Sequence, residues 1–267
     1  MIDLSIIIVN YNTRGFIGNC LTSILSSIDG KLSYEIIVVD NASSDGSQSE
    51  ILNIKNKILN MQAILNKKNV GFSKANNQGV KISQKSRYVL FLNPDTVMQK
   101  NTIEEMIKFM DSHKDAGAST CKVVMLNGEI DDASHRGFPT PWNAFCHFSG
   151  LLKVFPHSKL LSGYSLGWMD LSKIHEIDAL CGAFMIVRRE AGGEVGWWDE
   201  DYFFYGEDLD FCYELKAKGW KIYYVPTVSV LHYKGISGGI KSVSKKISTA
   251  SKETKIMATR ARFEAMR

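Results

Sequence analysis

Carboxylate and carboxamide side chains collect at three places in this chain, each directly after a run of apolar residues. The three segments are Asn10-Tyr11-Asn12, Asp40-Asn41 and Asn93-Pro94-Asp95. Aspartate, asparagine and proline are common in turns, so one such segment alone would indicate no more than a turn. Three of them, each with a carboxylate or a carboxamide, favour a binding site for a polar ligand.

Asp95 is a candidate metal ligand. Pro94 fixes the backbone before it, so the carboxylate is held at a defined angle. One carboxylate together with a diphosphate is a usual way to hold Mg²⁺ or Mn²⁺, because such ions keep several of their waters. His232 follows the apolar run 228–231 and is a second candidate, as a metal ligand or in contact with phosphate. The alternative for His232 is an ordinary histidine at the end of a strand.

A helix predicted from about residue 207 to residue 218 carries Asp208, the candidate catalytic carboxylate. Helical spacing places Asp208 on an apolar stripe and Glu207 on a stripe with other acids. The first stripe contains Phe211, Cys212 and Leu215, and the second contains Asp210 and Glu214. We therefore predict that Asp208 points inward, where a carboxylate is costly unless a site uses it. We predict that Glu207 is exposed to solvent.

Two further segments are candidates for ligand contact. The loop 197–206 before this helix is dense in aromatic residues beside carboxylates, a combination that often holds sugars, although aromatic residues more often fill the core. The candidate ligand-binding residues of this loop and the start of the helix are Trp198, Asp199 and Glu207. The segment 71–79 begins another predicted helix, where Gly71 permits an unusual backbone and Asn76 lies on the buried face. Asn76 and Asn77 could contact a base or ribose, or could cap the helix.

The elements that must position these residues alternate between two patterns. Short runs that are apolar on both faces predict buried parallel strands, at 4–9, 36–39, 63–65, 88–92 and 118–124. Segments with helical spacing lie between them, at 16–28, 47–56, 72–83 and 102–113. This alternation predicts an α/β protein with a doubly wound, mostly parallel sheet. In such a sheet, ligands bind beyond the carboxyl ends of the strands.

The second half of the chain is less regular. No elements are predicted clearly from about 126 to 171, where three prolines and several glycines occur. An ordered apolar run follows at 177–187, and strands are predicted at 220–225 and 228–231. We divide the chain into a first half (1–125), a second half of the same domain (126–237) and a basic tail (238–267).

Composition and motifs exclude several classes of protein. The 267 residues are 45% hydrophobic and 22% charged, which is ordinary for a globular protein. The apolar runs are far shorter than the roughly 20 residues of a membrane span, and no signal peptide begins the chain. Five widely spaced cysteines without a C-x-x-C pair predict a reducing, cytoplasmic location. Neither a G-x-G-x-x-G motif nor a phosphate-binding P-loop is present.

The positive charge is concentrated at the end of the chain. Residues 233–267 contain nine Lys/Arg and two Glu, a surplus of seven, so a total of +4 leaves residues 1–232 at −3. A nucleic-acid-binding surface is therefore not expected. The tail is either a solvated helix or flexible end, or a contact with an anionic membrane.

Seven motifs in one order, over about residues 3–237, resemble glycosyltransferase family 2. The resemblance is strongest to rhamnosyltransferase-type members, which build bacterial surface polysaccharides. The motifs lie at Ser5–Asn12, Val38–Ser47, Gly71–Gly79, Leu92–Asp95, Cys181–Phe184, Tyr205–Asp210 and Val230–Ser237.

The resemblance implies a GT-A fold and an inverting transfer of a sugar, rhamnose among the candidates, from a dTDP- or UDP-linked donor. The acceptor would be a saccharide or lipid-linked saccharide, at the inner face of the cell membrane. Asp40 would contact the base, and Asn10–Asn12, Asn41 and Gly71–Asn77 would line the nucleoside. Asp95 would bind Mg²⁺ or Mn²⁺ near His232, and Asp208 would deprotonate the acceptor hydroxyl beside Trp198, Asp199 and Glu207. Residues 1–125 would be the nucleotide-sugar-binding half, and residues 126–237 the acceptor-binding half. Asn93 stands where the family often has an acid, which leaves one carboxylate fewer for the metal.

Two other functions fit parts of this pattern. A nucleotidyltransferase also combines an α/β sheet with metal-binding carboxylates, but would need a better phosphate loop than Arg14-Gly15. A non-catalytic sugar- or nucleotide-binding module with the same fold would be favoured by loss of Asp95 or Asp208, and both are present.

Overall fold

The computed structural model describes residues 1–28, 30–236, 248, 250 and 252–264, without the side chains of residues 253 and 261–264. The strands within this part are β1 (Ile2–Asn10), β2 (Tyr34–Asp40), β3 (Met61–Leu65), β4 (Ser86–Leu92), β5 (Thr96–Met98), β6 (Ala116–Met125), β7 (His175–Ile177), β8 (Phe184–Arg188) and β9 (Lys221–His232). The helices are α1 (Arg14–Ser26), α2 (Ser47–Lys55), α3 (Phe72–Ile82), α4 (Thr102–Ser112), α5 (Pro141–Phe148), α6 (Leu151–Val154), α7 (Arg189–Glu194), α8 (Glu207–Ala217) and α9 (Lys252–Glu264). A short 3-10 helix covers Asp132–Ser134.

The described strands form one sheet in the order β3-β2-β1-β4-β8-β6-β9-β5, with β7 beside β9. β1 is parallel to β2 and β4, β2 is parallel to β3, and β6 is parallel to β9. β5, β7 and β8 run antiparallel to their neighbours. The predicted α/β fold with a doubly wound, mostly parallel sheet is therefore confirmed. Strand order reverses between β1 and β4, which is where such sheets bind their ligands.

The central strands are apolar on both faces because helices cover both sides of the sheet. In β1, Ile6 and Ile8 pack in the core that contains α1 and α4, whereas Ile7 packs in the core that contains α8. Residues two apart on a strand share a face, so one continuous apolar run supplies both cores. Gly79 of α3 lies against the same strand, and a Cβ there would stand 2.6 Å from Ile7 Cγ2.

The second half differs from the predicted elements in two places. The apolar run 177–187 belongs to two strands, β7 and β8, which lie at different positions in the sheet. The two strands predicted at 220–225 and 228–231 are one strand, β9, whose register against β6 shifts after Val225. Pro226 lies at this shift and has no N–H for the ladder, so a bulge accommodates it within the strand.

Three features bear on where the protein can work. All five cysteines are buried and free. Within the described residues, no helix combines the length and the apolar character that crossing a membrane requires. Of the predicted basic tail (238–267), the structure describes residues 248, 250 and α9, and the other half of the tail lies outside the described residues.

Candidate functional site

Asp40 ends β2 and organises the turn that follows it. Its fully buried carboxylate accepts hydrogen bonds from Asn10 Nδ2 (2.8 Å), the Ser43 N–H (2.9 Å) and Gln48 Nε2 (2.8 Å). These bonds join the carboxyl ends of β1 and β2. Asp40 and Asn10 therefore support the site from within the protein, and neither is part of the pocket wall.

A pocket of about 130 Å³ opens at the carboxyl ends of β1, β2 and β4, at the reversal of strand order. The start of α3, the loop before α8 and one side of α9 complete its walls. Five of the ten predicted nucleotide-sugar ligands line it, namely Tyr11, Asn41, Gly71, Asn93 and Asp95. Phe203 and Phe204 from the aromatic loop also line it. Half of the residues that the resemblance singled out for the nucleotide sugar thus lie around one cavity.

Asn41 and Gly71 bring two loops together at this pocket. Asn41 Nδ2 donates to Asn69 Oδ1 (2.7 Å) and to the Gly71 carbonyl (3.1 Å). Gly71 has a φ of +92°, and a Cβ there would stand 2.9 Å from the Phe203 carbonyl oxygen. Glycine is required at this position on both counts, because the backbone is left-handed and the aromatic loop lies directly against it.

Three other predicted nucleotide ligands hold the structure and do not reach the pocket wall. Asn12 accepts a hydrogen bond from the Ser44 N–H (2.8 Å). Asn76 is buried and donates to the Phe72 carbonyl (3.1 Å). Asn77 exchanges hydrogen bonds with the backbone of Trp198, at 2.8 and 3.2 Å. The carboxamides hold the loops beside the pocket, and no side chain caps the start of α3, so Asn77 does not serve as the helix cap that the alternative described.

Asp95 and His232 form a pair at the pocket. The antiparallel pairing of β5 with β9 sets Thr96 opposite His232, which brings His232 Nε2 to 3.4 Å from Asp95 Oδ1. Asn93 Nδ2 lies 3.4 Å from the same ring nitrogen. Burial alone would lower the pKa of His232, but the carboxylates of Asp95 and Asp131 outweigh it and raise the pKa to about 9.

Asp131 fixes the histidine ring from its other side. Its carboxylate lies 2.9 Å from His232 Nδ1 and also pairs with Lys234 Nζ. Burial alone would raise the pKa of Asp131, but His232 and Lys234 together lower it. Lys234 in turn reaches the exposed Asp132 at 2.6 Å. The result is a chain of charges that runs from Asp95 in the pocket wall through the buried Asp131 to Asp132 at the surface.

The donor atoms of Asp95 and His232 fit a divalent cation whose coordination a diphosphate would complete. Within the described residues, no group of three or more His, Cys, Asp or Glu side chains is arranged to hold a metal ion. Asp95 Oδ1 and His232 Nε2 are nevertheless close enough to share one ion, and Asp131 binds the opposite ring nitrogen, as carboxylates commonly do behind metal-bound histidines. A cation here would displace the proton between the two groups.

Asp208 is held by a buried arginine. Arg136 donates to Asp208 Oδ2 at 2.6 Å, and the Leu209 N–H donates to Asp208 Oδ1 at 2.8 Å. Burial would lower the pKa of Arg136, but the carboxylate beside it outweighs burial and raises the pKa, so the guanidinium stays charged. The Arg136 Nε atom is buried without a hydrogen-bond partner. The two bonds fix the orientation of the Asp208 carboxylate.

The prediction that Glu207 is exposed to solvent is wrong. Glu207 is 7% exposed, and its Oε2 atom is buried without a hydrogen-bond partner, whereas Asp208 is only partly buried. Helical periodicity fails here because Glu207 is the first residue of α8, directly after Gly206 in a left-handed conformation. Burial raises the pKa of Glu207 from its ordinary 4.5 to about 8, and the neighbouring Asp208 adds to the rise.

Trp198 and Asp199, the other predicted acceptor ligands, lie in different surroundings. The Trp198 ring is 2% exposed and stacks on Phe211 with ring centroids 4.9 Å apart. It also meets Phe91 edge-to-face at 4.9 Å, so its faces are occupied by the core and no sugar can stack on them. Asp199 is exposed and accepts a hydrogen bond from the Asp201 N–H (2.9 Å). Of this pair, only Asp199 is accessible to a ligand.

Asp131 and Asp208 both lie near Cys181, which comes just before β8. The Cys181 thiol is buried, which raises its pKa, and the charges of both carboxylates raise the pKa further.

Sequence reasoning missed Asp131, Arg136, Lys234 and the part of α9 that lines the pocket, which consists of Thr254, Met257 and Ala258. Asp131 and Arg136 lie in the irregular region from 126 to 171, and the available signal was an acid pair and a single arginine in a stretch of small and apolar residues. Nothing in the composition of the tail pointed to the pocket.

Glu207→Gln is expected to change the pH dependence of stability. Because the folded-state pKa of Glu207 is raised, folding takes up a proton between the ordinary 4.5 and about 8, and the wild type loses stability as pH rises through this window. Glutamine keeps the shape and cannot ionise. The variant should match the wild-type melting temperature near the lower limit and exceed it increasingly toward the upper one. Glu214→Gln, a partly exposed acid of the same helix, should follow the wild-type curve. Parallel curves for Glu207→Gln would show that Glu207 is ionised when folded.

The family model described as glycosyl transferase family 2 matches residues 5–168. Rhamnosyltransferase WbbL of Escherichia coli (strain K12) is 30% identical over 171 residues, 61% of this chain and 61% of WbbL. The N-acetylglucosaminyl-diphospho-decaprenol L-rhamnosyltransferase of Mycobacterium tuberculosis (strain ATCC 25618 / H37Rv) is 25% identical over 246 residues, 88% of this chain and 78% of that protein.

The fold is also similar to a solved structure. The crystal structure of GalNAc-T7 with UDP, GalNAc and Mn²⁺ matches with a TM-score of 0.66 and 17% sequence identity, over 87% of this chain and 44% of the other. The chain thus spans less than two thirds of WbbL and less than half of the GalNAc-T7 chain.

Proposed function

Because the chain belongs to glycosyltransferase family 2 and has the GT-A fold, we propose that it transfers a sugar from a nucleotide-diphosphate sugar to a hydroxyl group of a saccharide. The observation that carries the proposal is the pocket at the strand-order reversal, with Asp95 in its wall and the loop before α8 on its other side. The nucleoside would occupy this pocket. The diphosphate would lie at Asp95 and His232, and the acceptor would meet the first turn of α8.

The donor and acceptor classes are part of the same proposal. The relatives with the names of rhamnosyltransferases support a rhamnosyl donor linked to dTDP or UDP. One relative is named for a lipid-linked sugar, N-acetylglucosaminyl-diphospho-decaprenol, which supports a saccharide or lipid-linked saccharide acceptor in the synthesis of a bacterial surface polysaccharide. Free cysteines fit a reducing cytoplasm, and we place the reaction at the inner face of the membrane.

Asp95 and His232 would hold Mg²⁺ or Mn²⁺, and bound there the ion would neutralise charge on the departing diphosphate. The chain itself contributes the orientation of this pair. Asp131 keeps the His232 ring turned so that Nε2 faces Asp95. Asn93 supplies a carboxamide in place of a second acid, so less negative charge faces the diphosphate at this wall.

Asp208 would act as the general base. The acceptor oxygen attacks the anomeric carbon, its proton passes to the Asp208 carboxylate, and the bond from the anomeric carbon to the diphosphate oxygen breaks on the opposite side. The leaving group keeps that electron pair and departs as a nucleoside diphosphate. Arg136 orients the carboxylate through Oδ2, so that the proton is accepted in a fixed direction.

The raised pKa of Glu207 supports a single displacement with inversion. A retaining mechanism needs an ionised carboxylate as nucleophile in addition to an acid–base residue. Burial and Asp208 raise the pKa of Glu207 to about 8, so Glu207 is protonated near neutral pH. In that state Glu207 can donate a hydrogen bond to the acceptor and is a poor nucleophile.

Asp95→Ala tests the donor side of the proposal. We expect calorimetry to show that the wild type binds UDP or dTDP more tightly with Mg²⁺ or Mn²⁺ than with chelator. The variant should lose about 1–3 kcal/mol of this metal-dependent affinity, the scale of losing a charged partner.

Asp170→Ala, an exposed acid of a distant loop, is the matched control and should bind as the wild type does. Equal affinity with metal and with chelator in all three proteins would exclude the metal role of Asp95. Absence of nucleotide binding in the wild type would overturn the proposed function itself.

A further inference from the structure

Residues 141–160, which we call the α5–α6 hairpin, expose large apolar side chains. Phe148 is 83% exposed, and four further residues are each more than half exposed, namely Phe145, Val154, Phe155 and Leu160. In the eight residues of α5, only Cys146 is buried. A helix that served to cover the core would bury its apolar face. This hairpin presents it outward.

The hairpin is a built surface. Thr140 caps α5 by accepting a hydrogen bond from the Asn143 N–H at 3.2 Å. Trp142 Nε1 donates to the Leu160 carbonyl at 2.7 Å, which ties the two ends of the hairpin together. The rings of Trp142 and Phe145 stack with centroids 5.6 Å apart. The rings of Trp142 and Phe145 are therefore held in a fixed arrangement.

The region around the hairpin, residues 133–169, differs in net charge from the rest of residues 1–232. Residues 133–169 contain no Asp or Glu and carry Arg136, Lys153 and Lys159, a charge of +3. Since residues 1–232 sum to −3, the remainder of that range sums to −6. Aromatic and aliphatic side chains with flanking lysines and no acids are the composition of segments that lie in the interface of an anionic bilayer.

The hairpin is anchored beside the acceptor side of the candidate site. Arg136, which pairs with Asp208, lies five residues before α5. The ring of Phe138 packs on Tyr213 of α8 with centroids 5.8 Å apart. The Gly137 N–H donates to the Tyr164 carbonyl at 2.8 Å. The segment 136–138, which leads into the hairpin, thus also contacts α8, the helix that carries the candidate base.

From these observations we propose that the α5–α6 hairpin docks this protein onto an anionic lipid bilayer, with the exposed phenylalanines in the interface and Lys153 and Lys159 at the lipid head groups. This contact would bring the first turn of α8 near acceptors carried by the membrane. The docking itself does not depend on the sugar-transfer chemistry, so vesicle binding and nucleotide binding can fail separately.

A second copy of the chain fits this surface less well. A two-fold contact would set the same patch against itself, which would bring Lys153 and Lys159 of both copies together with no acid in 133–169 to balance them. Anionic head groups supply the missing negative charge. The charge pattern therefore favours the bilayer over self-association.

Vesicle co-sedimentation of the full chain tests the proposal. The probes are vesicles of phosphatidylcholine alone and of phosphatidylcholine with phosphatidylglycerol. We expect binding to the anionic vesicles only, weakened by salt. The variants Phe148→Ser/Phe155→Ser and Lys153→Glu/Lys159→Glu should each lower the binding constant by roughly tenfold or more. Leu59→Ser/Lys57→Glu, with a similar exposed pair near β3, is the matched control and should bind as the wild type does.

Three results would overturn the proposal. One is a wild type that binds neither kind of vesicle. Another is unchanged binding in both hairpin variants while Lys245→Glu/Lys246→Glu in the tail abolishes binding, which would assign the contact to the tail. The third is self-association of the wild type in sedimentation equilibrium that the hairpin variants lose, without vesicle binding. Unchanged melting temperatures of the variants would show that lost binding is not lost folding.

Discussion

Asp208→Asn is expected to lower the rate of sugar transfer by about 10²–10⁴-fold, the usual contribution of a general base, while donor affinity stays nearly unchanged. Asparagine keeps the shape of the side chain and can still accept from the Leu209 N–H, but it cannot take up the proton of the acceptor hydroxyl. Arg136 remains in place, although it loses the charge of its partner. The measurement is the transfer rate, with nucleotide affinity determined in parallel.

Two neighbours on α8 serve as controls for this variant. Asp210 is only partly buried, and Asp210→Asn should be much milder. Glu207→Gln imitates the protonated form of Glu207 and should also leave most of the transfer rate. Turnover of Asp208→Asn near that of the wild type would exclude Asp208 as the base. Loss of donor binding in Asp208→Asn would instead place this residue on the nucleotide side of the site.

The fold was predictable because its signal is local and repeated. The run from Leu4 to Val9 is apolar on both faces, and its residues fill both cores of the sheet in the structure. Each helix between two such runs has its own periodicity. The reversal of strand order between β1 and β4, and hence the position of the pocket, follows from this regular first half.

The environment of the acids on α8 was not predictable from periodicity. A helical stripe describes side chains that face a neighbouring layer, but the burial of the first turn also depends on how the chain enters the helix. Gly206, directly before α8, has a left-handed conformation, which helical spacing does not indicate. The stripe rule held for Phe211, Cys212 and Leu215, which are buried, and failed at Glu207.

The partners of His232 and Asp208 depend on contacts between distant parts of the chain. Parallel pairing of β6 with β9 sets Met125 opposite His232. The chain then turns back after β6, and the Asp131 N–H donates to the Val123 carbonyl at 2.9 Å. Asp131 reaches the histidine only through this register. Arg136 meets Asp208 across 72 residues of sequence. No spacing within the irregular region could indicate either contact.

Asp131→Ala is expected to lower the free energy of unfolding by about 3–5 kcal/mol, the scale of removing one partner from a buried ion pair. The Asp131 side chain is 1% exposed and compensates His232 and Lys234 at once, so alanine leaves two cations near a carboxylate-sized gap. Lys234 keeps its contact with Asp132, and His232 keeps Asp95, which places the loss near the lower end of this range.

The matched control for this variant is Asp132→Ala. Asp132 pairs with the same lysine, but its side chain is 84% exposed, and an exposed ion pair contributes about 0–1 kcal/mol. Urea unfolding of the three proteins measures the difference directly. A loss of stability in Asp131→Ala no larger than in Asp132→Ala would mean that the buried charges are compensated by other groups.

Asp131→Ala also separates stability from function, because His232 loses the carboxylate that orients its ring. Without urea, and at a temperature at which Asp131→Ala is still folded, the metal-dependent nucleotide affinity of this variant should therefore fall by about 10–100-fold. Asp132→Ala should retain the wild-type affinity.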